Sequence, residues 1–158
     1  MKKIASFTIN HIKLQPGIYV SRKDHIGAET VTTFDLRMTS PNEEPVMNTA
    51  EVHAIEHLAA TCLRNDAEFA DQIVYFGPMG CQTGFYLLVR DMDAKDVFEL
   101  TKKILKQTIE HDGDVFGKSA IECGHYENLD IELAKEECRT YLEVLENQTN
   151  MEFTYPTE

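Results

Sequence analysis

Two histidines and a glutamate, His53, Glu56 and His57, stand within the five residues HAIEH. In an α-helix each residue turns the chain by about 100°, so positions four apart lie about 40° from one another around the axis, one turn apart along it. Two imidazoles placed this way can share one cation, and Glu56 points to the same side. The rest of the segment supports a helix that keeps this face free. Val52, Ile55, Leu58, Ala59, Cys62 and Leu63 gather on the opposite side as a core-facing stripe. Ala60, next on the histidine side, is small enough to leave room for a ligand. The bland alternative is a pair of structural histidines, but an acid at metal-site spacing beside them favours a metal.

A metal site that performs chemistry needs three protein ligands and an open position. The segment Ile121-Glu122-Cys123-Gly124-His125 offers a thiolate at Cys123, with His125 as a competing donor. HxxEH is also the inverted zinc-peptidase signature, with Glu56 as general base. In a small zinc metallopeptidase of that kind the third ligand would be a carboxylate, and Glu132 or Glu136 could serve. A second thiol, Cys81, lies in the glycine-rich loop PMGCQTG, the kind of setting where catalytic groups concentrate. Beside a divalent cation such a thiol ionises more readily than its unperturbed pKa of about 8.5 allows, which makes Cys81 a usable base near neutrality. Cys62 and Cys138 fall on apolar helical stripes and read as packing residues.

These side chains must be held by a scaffold. Thr30–Met38 alternates Phe34, Leu36 and Met38 against Asp35 and Arg37, which predicts a half-buried strand closed by Ser40-Pro41-Asn42. Asn48 with Glu51 three residues later predicts a capping box that opens the HAIEH helix, running to about Asn65. Ile73–Phe76 and Phe85–Val89 read as two more strands, joined by the Gly77–Gly84 loop. Asp93 is placed to cap a second helix carrying Val97, Leu100, Ile104 and Thr108, and Asp130 precedes a third carrying Ala134, Cys138, Tyr141, Leu142 and Leu145. Strands and helices interleave without a βαβ rhythm. The expected class is therefore α+β, a mainly antiparallel sheet packed against helices in a single domain spanning 1–158.

Composition narrows the function classes. With 158 residues, 42% of them hydrophobic, the chain can bury one sizeable core. A net charge of -12 argues against nucleic acid and against anionic membranes, both of which need a basic surface. Thr8, Asn10 and His11 interrupt the N-terminal apolar run too early for an export signal, and the four cysteines form no CxxC pair. The expected location is the cytoplasm, with reduced or metal-bound thiols.

Five segments together resemble the S-ribosylhomocysteine lyases, the LuxS family. They are Ala5-Ser6-Phe7 with His11, FDLRMTSPN at 34–42, HAIEHL at 53–58, GPMGCQTGFY at 77–86 and ECG at 122–124. Some members carry an acidic residue and a serine just before PMGC where this chain reads Tyr75-Phe76-Gly77, so no substrate contact is carried over there. The resemblance implies that His53, His57 and Cys123 hold one divalent metal, Fe(II) with Zn or Co as substitutes, and that Glu56 and Cys81 move protons. It implies that Ser6, His11 and Arg37 contact substrate and that two chains form a homodimer with active sites at the interface. The implied reaction cleaves the thioether of S-ribosylhomocysteine by two carbonyl migrations and a β-elimination. Its products are homocysteine and 4,5-dihydroxy-2,3-pentanedione, an autoinducer precursor in quorum sensing, which ties the enzyme to the methyl cycle.

Overall fold

The computed structural model describes residues 1–157. Its strands are β1 (Gly17–Ile26), β2 (Glu29–Arg37), β3 (Ile73–Pro78) and β4 (Gly84–Arg90), and its helices are α1 (Thr49–Arg64), α2 (Ala94–Glu110) and α3 (Ile131–Glu146). The four strands form one antiparallel sheet in the order β1-β2-β4-β3. The α+β expectation holds, and each predicted strand and helix is present with small shifts at its ends.

Strand alternation sorts the side chains onto two faces. Phe34 and Leu36 of β2, Phe85, Leu87 and Val89 of β4, and Ile73 and Phe76 of β3 turn to the helices, where they meet Ile55, Leu58 and Leu63 of α1, Leu100 and Ile104 of α2, and Ala134 and Tyr141 of α3 in one core. Burying each such Leu, Ile or Phe contributes about 2 kcal/mol. The predicted apolar stripe of α1 is therefore its buried side, joined by Ala54, with Cys62 half-buried against the same core. Ala60 also packs on this core and does not face the cleft beside His53, contrary to the expectation that it leaves room for a ligand.

The helix starts differ in how they are held. Asn48 forms the full capping box: its side chain accepts from the Glu51 amide at 2.9 Å and the Glu51 carboxylate accepts from the Asn48 amide at 2.7 Å. Asp130 accepts from the Leu133 amide at 3.0 Å and starts α3. Asp93 occupies the corresponding position before α2 but makes no side-chain cap bond, so that helix relies on its apolar face.

Two segments have no counterpart in the sequence reading. Strand β1 is an edge strand whose outer half, Arg22-Lys23-Asp24-His25, is charged, which masks its period-two pattern. Beyond α3 the C-terminal segment returns along β1: the Val20 amide donates to the Phe153 carbonyl at 2.7 Å, and the Tyr155 ring stacks on Tyr19 with centroids 5.1 Å apart. This tail covers the second face of the sheet where Asp35 and Arg37 project.

Candidate metal centre and its thiol loop

One turn of α1 separates His53 from His57, and the two rings meet edge to face with centroids 4.6 Å apart. Nδ1 of His53 lies 2.8 Å from the Asn128 carbonyl, and Nδ1 of His57 lies 2.7 Å from the Phe116 carbonyl. A carbonyl only accepts, so each Nδ1 carries the proton and each Nε2 keeps its lone pair. Both acceptors belong to the irregular 111–130 segment, which thereby orients both imidazoles. Gly117 follows Phe116 with φ 71°, a left-handed conformation, and a Cβ there would lie 3.3 Å from His57 Nδ1.

The same segment delivers Cys123. Its Sγ lies 3.4 Å from His53 Nε2, and one ligand atom from each of His53, His57 and Cys123 falls within 4.8 Å of the others. An ion holding nitrogen at about 2.1 Å and sulfur at about 2.3 Å in tetrahedral geometry sets such donors about 3.6 Å apart, so the three fit a divalent metal. His125 touches the thiol through its backbone amide, at 3.4 Å from Sγ, and Glu132 and Glu136 are exposed on α3. Among the described residues none of those three joins the ligand cluster.

Glu56 and His53 line a cleft of about 430 Å³ whose opposite wall is Pro78, Met79, Gly80 and Gln82. Cys81 sits between the last two and is exposed. Its loop is tightly held. Gln82 adopts φ 60° and is fixed there by paired contacts with Met47, its carbonyl accepting from the Met47 amide at 3.1 Å and its side-chain amide donating to the Met47 carbonyl at 3.0 Å. Gly84 follows at the start of β4, where a Cβ would come within 2.3 Å of the Leu36 carbonyl oxygen, so only glycine lets the two strands approach.

Arg37 reaches this loop from the second face of the sheet. It is 2% exposed and pairs with Asp35, 0% exposed, through Nε–Oδ1 at 3.1 Å and Nη2–Oδ2 at 2.6 Å. Its remaining nitrogen, Nη1, donates to the Thr83 hydroxyl at 2.7 Å and lies 3.8 Å from Cys81 Sγ. The Thr83 hydroxyl is 3.1 Å from the same sulfur. Burial by itself would push the Cys81 thiol up, but the Thr83 hydrogen bonds and then the charge of Arg37 outweigh it, and the thiol lies below its ordinary value. Cys62 and Cys138 go the other way: burial raises both, Cys138 to about 12, as suits packing residues.

Ser6 and His11 are half-buried on the N-terminal segment, Ser6 within the short helical turn Ala5–Phe7. Neither lines the cleft of His53 and Glu56. Their neighbours Thr8, Ile9 and Asn10 instead border a separate cleft with Tyr155, Pro156 and Thr157. Asp35, Thr83 and Tyr155, which surround Arg37 and Cys81, had no signal in the sequence beyond the polar side of the β2 alternation.

The S-Ribosylhomocysteinase (LuxS) family profile matches residues 4–152. Among its relatives, an S-ribosylhomocysteine lyase of Finegoldia magna is 54% identical over 157 residues, 99% of each chain. Those of Clostridium acetobutylicum and Borreliella burgdorferi are 51% and 45% identical over 157 residues, covering 99% of this chain and 99% or more of theirs.

Proposed function

The chain belongs to the S-ribosylhomocysteinase (LuxS) family and is a carbon–sulfur lyase that cleaves S-ribosylhomocysteine; we propose that it does so with Cys81 and Glu56 as the proton-moving groups beside a metal held by His53, His57 and Cys123. The metallopeptidase reading is not favoured, since a peptidase has no use for the thiol loop. The observation that carries the proposal is the cleft itself, with Glu56 and His53 on one wall and the loop of Cys81 on the other.

The substrate is a ribose joined through C5 to sulfur. Expelling that sulfur requires an acidic proton on C4, and C4 is acidic only once a carbonyl stands at C3. The C1 aldehyde must therefore migrate twice. The Cys81 thiolate takes the proton from C2 and returns it to C1, then repeats the exchange between C3 and C2, while Glu56 moves the hydroxyl protons on the other side of the sugar. A bound divalent ion supplies Lewis acidity to the sugar oxygens during these shifts. In the last step Cys81 removes the C4 proton, the C5–S bond breaks, and homocysteine leaves with a proton from Glu56. The C4–C5 enol that remains tautomerises, losing its hydroxyl proton and gaining one at C5, to 4,5-dihydroxy-2,3-pentanedione, a precursor for quorum-sensing signals; the reaction thereby ties the enzyme to the methyl cycle. Ser6 and His11 are proposed to bind substrate; Arg37, expected to share that role, is buried with its nitrogens held by Asp35 and Thr83, and in this reading it acts on Cys81 instead.

Two imidazoles and a thiolate suit several first-row ions; among them we propose Fe(II), with Zn or Co as substitutes, on the family resemblance. The working form is a homodimer. In its favour, the N-terminal segment that carries Ser6 and His11 leaves Ile4, Phe7 and Ile12 59%, 70% and 75% exposed, apolar surface that a second chain would cover while bringing these residues to its own cleft. A solution mass of one chain at micromolar concentration would remove this part of the proposal. No helix is long and apolar enough to cross a membrane. The proposed location is the cytoplasm, whose reducing conditions keep the four thiols and Fe(II) in their active forms.

The lyase reaction is tested by incubating anaerobically purified protein with S-ribosylhomocysteine and following the free homocysteine thiol, with and without a chelator. Thiol release that the chelator abolishes is expected, with one metal per chain by elemental analysis. Folded, metal-loaded protein that releases no thiol would overturn it.

A further inference from the structure

We propose that Tyr155, on the C-terminal segment, is a positioning residue for Cys81: acting through Asp35, Arg37 and Thr83, its hydroxyl helps to hold the thiol in its ionised form. The consequence for turnover rests on Cys81 being the base.

A continuous chain of hydrogen bonds joins the two residues. The Tyr155 hydroxyl donates to Asp35 Oδ2 at 2.8 Å. Asp35 takes both Nε and Nη2 of Arg37, and the third guanidinium nitrogen is left for the Thr83 hydroxyl, which stands beside the sulfur. Because Arg37 donates to the Thr83 oxygen, the Thr83 proton is free to point at Cys81. Asp35 and Arg37 are out of water, so their partners rather than solvent set their geometry and field. Among the described residues, Tyr155 supplies the one side-chain bond to Asp35 that comes from outside β2. Its ring is fixed by stacking on Tyr19 at 13° between planes, and the Tyr19 hydroxyl is turned away to the Gln15 carbonyl at 2.8 Å.

The sign of the effect follows from the direction of the bond. Burial first, and Asp35 second, push the Tyr155 phenol far above its ordinary value, so it donates at every working pH. Its O–H dipole presents the positive end to Asp35 and offsets part of that carboxylate's charge. Without it, more of the Asp35 charge is felt at Cys81, and Arg37 is drawn more fully to Asp35 and away from Thr83. Both changes disfavour the thiolate. The charged and titratable groups around the chain of bonds are Asp35 and Arg37 of β2, Tyr19 of β1, Tyr86 of β4 opposite Asp35, Tyr141 of α3, and His53 and Glu56 of α1 on the cleft wall that faces the Cys81 loop. Of these, none but Arg37 contacts the sulfur through a hydrogen bond.

The test is the pH dependence of Cys81 alkylation by iodoacetamide in the metal-loaded protein, read at that residue by peptide mass mapping, for wild type, Tyr155→Phe and Tyr155→Leu. Phenylalanine keeps the ring on Tyr19 and removes only the hydroxyl. The expected result is a midpoint raised by about half a pH unit or more in both variants, with several-fold slower alkylation below it. The acid limb of the pH–rate profile should move by the same amount. An unchanged midpoint in Tyr155→Phe overturns the proposal, as does a shift confined to Tyr155→Leu, which would assign the effect to ring packing. Alkylation does not depend on turnover. Full activity in a Cys81 variant would sink the base assignment and leave the titration to decide Tyr155 by itself.

Discussion

Cys81→Ala protein will hold one metal per chain and release homocysteine about a thousandfold more slowly than wild type, within the range of about 10²–10⁴ expected for loss of a positioned acid–base group. The metal should be retained because Cys81 lies outside the cluster of His53, His57 and Cys123. The fold should be retained because the loop is held by its backbone and by Gln82 on Met47, not by the thiol. Turnover should fall because Cys81 is the one thiol that is both exposed and depressed in pKa, with Arg37 and Thr83 beside it. Homocysteine release and elemental analysis on the same preparation check both halves. Activity near wild type would remove Cys81 from the proposed proton transfers, and loss of metal would recast it as a ligand.

Cys123→Ala should lose at least about 100-fold in metal affinity, more than the loss of an outer-shell hydrogen bond usually costs, and its turnover should fall with occupancy. Two imidazoles one helical turn apart remain, but the third donor comes from a segment that contributes no other ligand to the cluster. Stability should change little in the metal-free protein, since Cys123 is half-buried in an irregular loop and belongs to no core cluster. Competition with a chromogenic chelator gives the affinity, and circular dichroism controls for folding. A variant that still binds one metal per chain at wild-type affinity would show that His125, Glu132 or Glu136 replaces the thiolate, and either glutamate would return the third ligand to the peptidase pattern.

The histidine pair, its helix and the buried stripe behind it were legible in the sequence because a helix's period converts spacing directly into a face. The Asn48 capping box was legible because its two bonds join residues three apart. Asp93 stands at the N-cap of α2 as its residue type and position suggest, but its side chain makes no cap bond, which residue type alone does not reveal. The helical wheel sets Ala60 beside the histidines but does not say how wide a stripe the core will claim, and here the core takes Ala60 as well.

Taken by itself, the sequence determined what depends on neighbours along the chain: the α+β pattern, the cation-sharing face of α1, the cysteine in a glycine-rich loop, and a combination of five segments specific enough to identify the family. Tertiary structure alone decided what depends on residues far apart in the chain. It brought Cys123 to His53 from 70 positions away and selected it over the carboxylates of α3. It turned Arg37 from a residue on the polar side of a strand into a buried cation, because a tail 120 positions beyond Asp35 folds back over that face and closes the ion pair from water. Strand alternation assigns a side chain to a face, but whether that face meets solvent or protein is set by which distant segment packs on it.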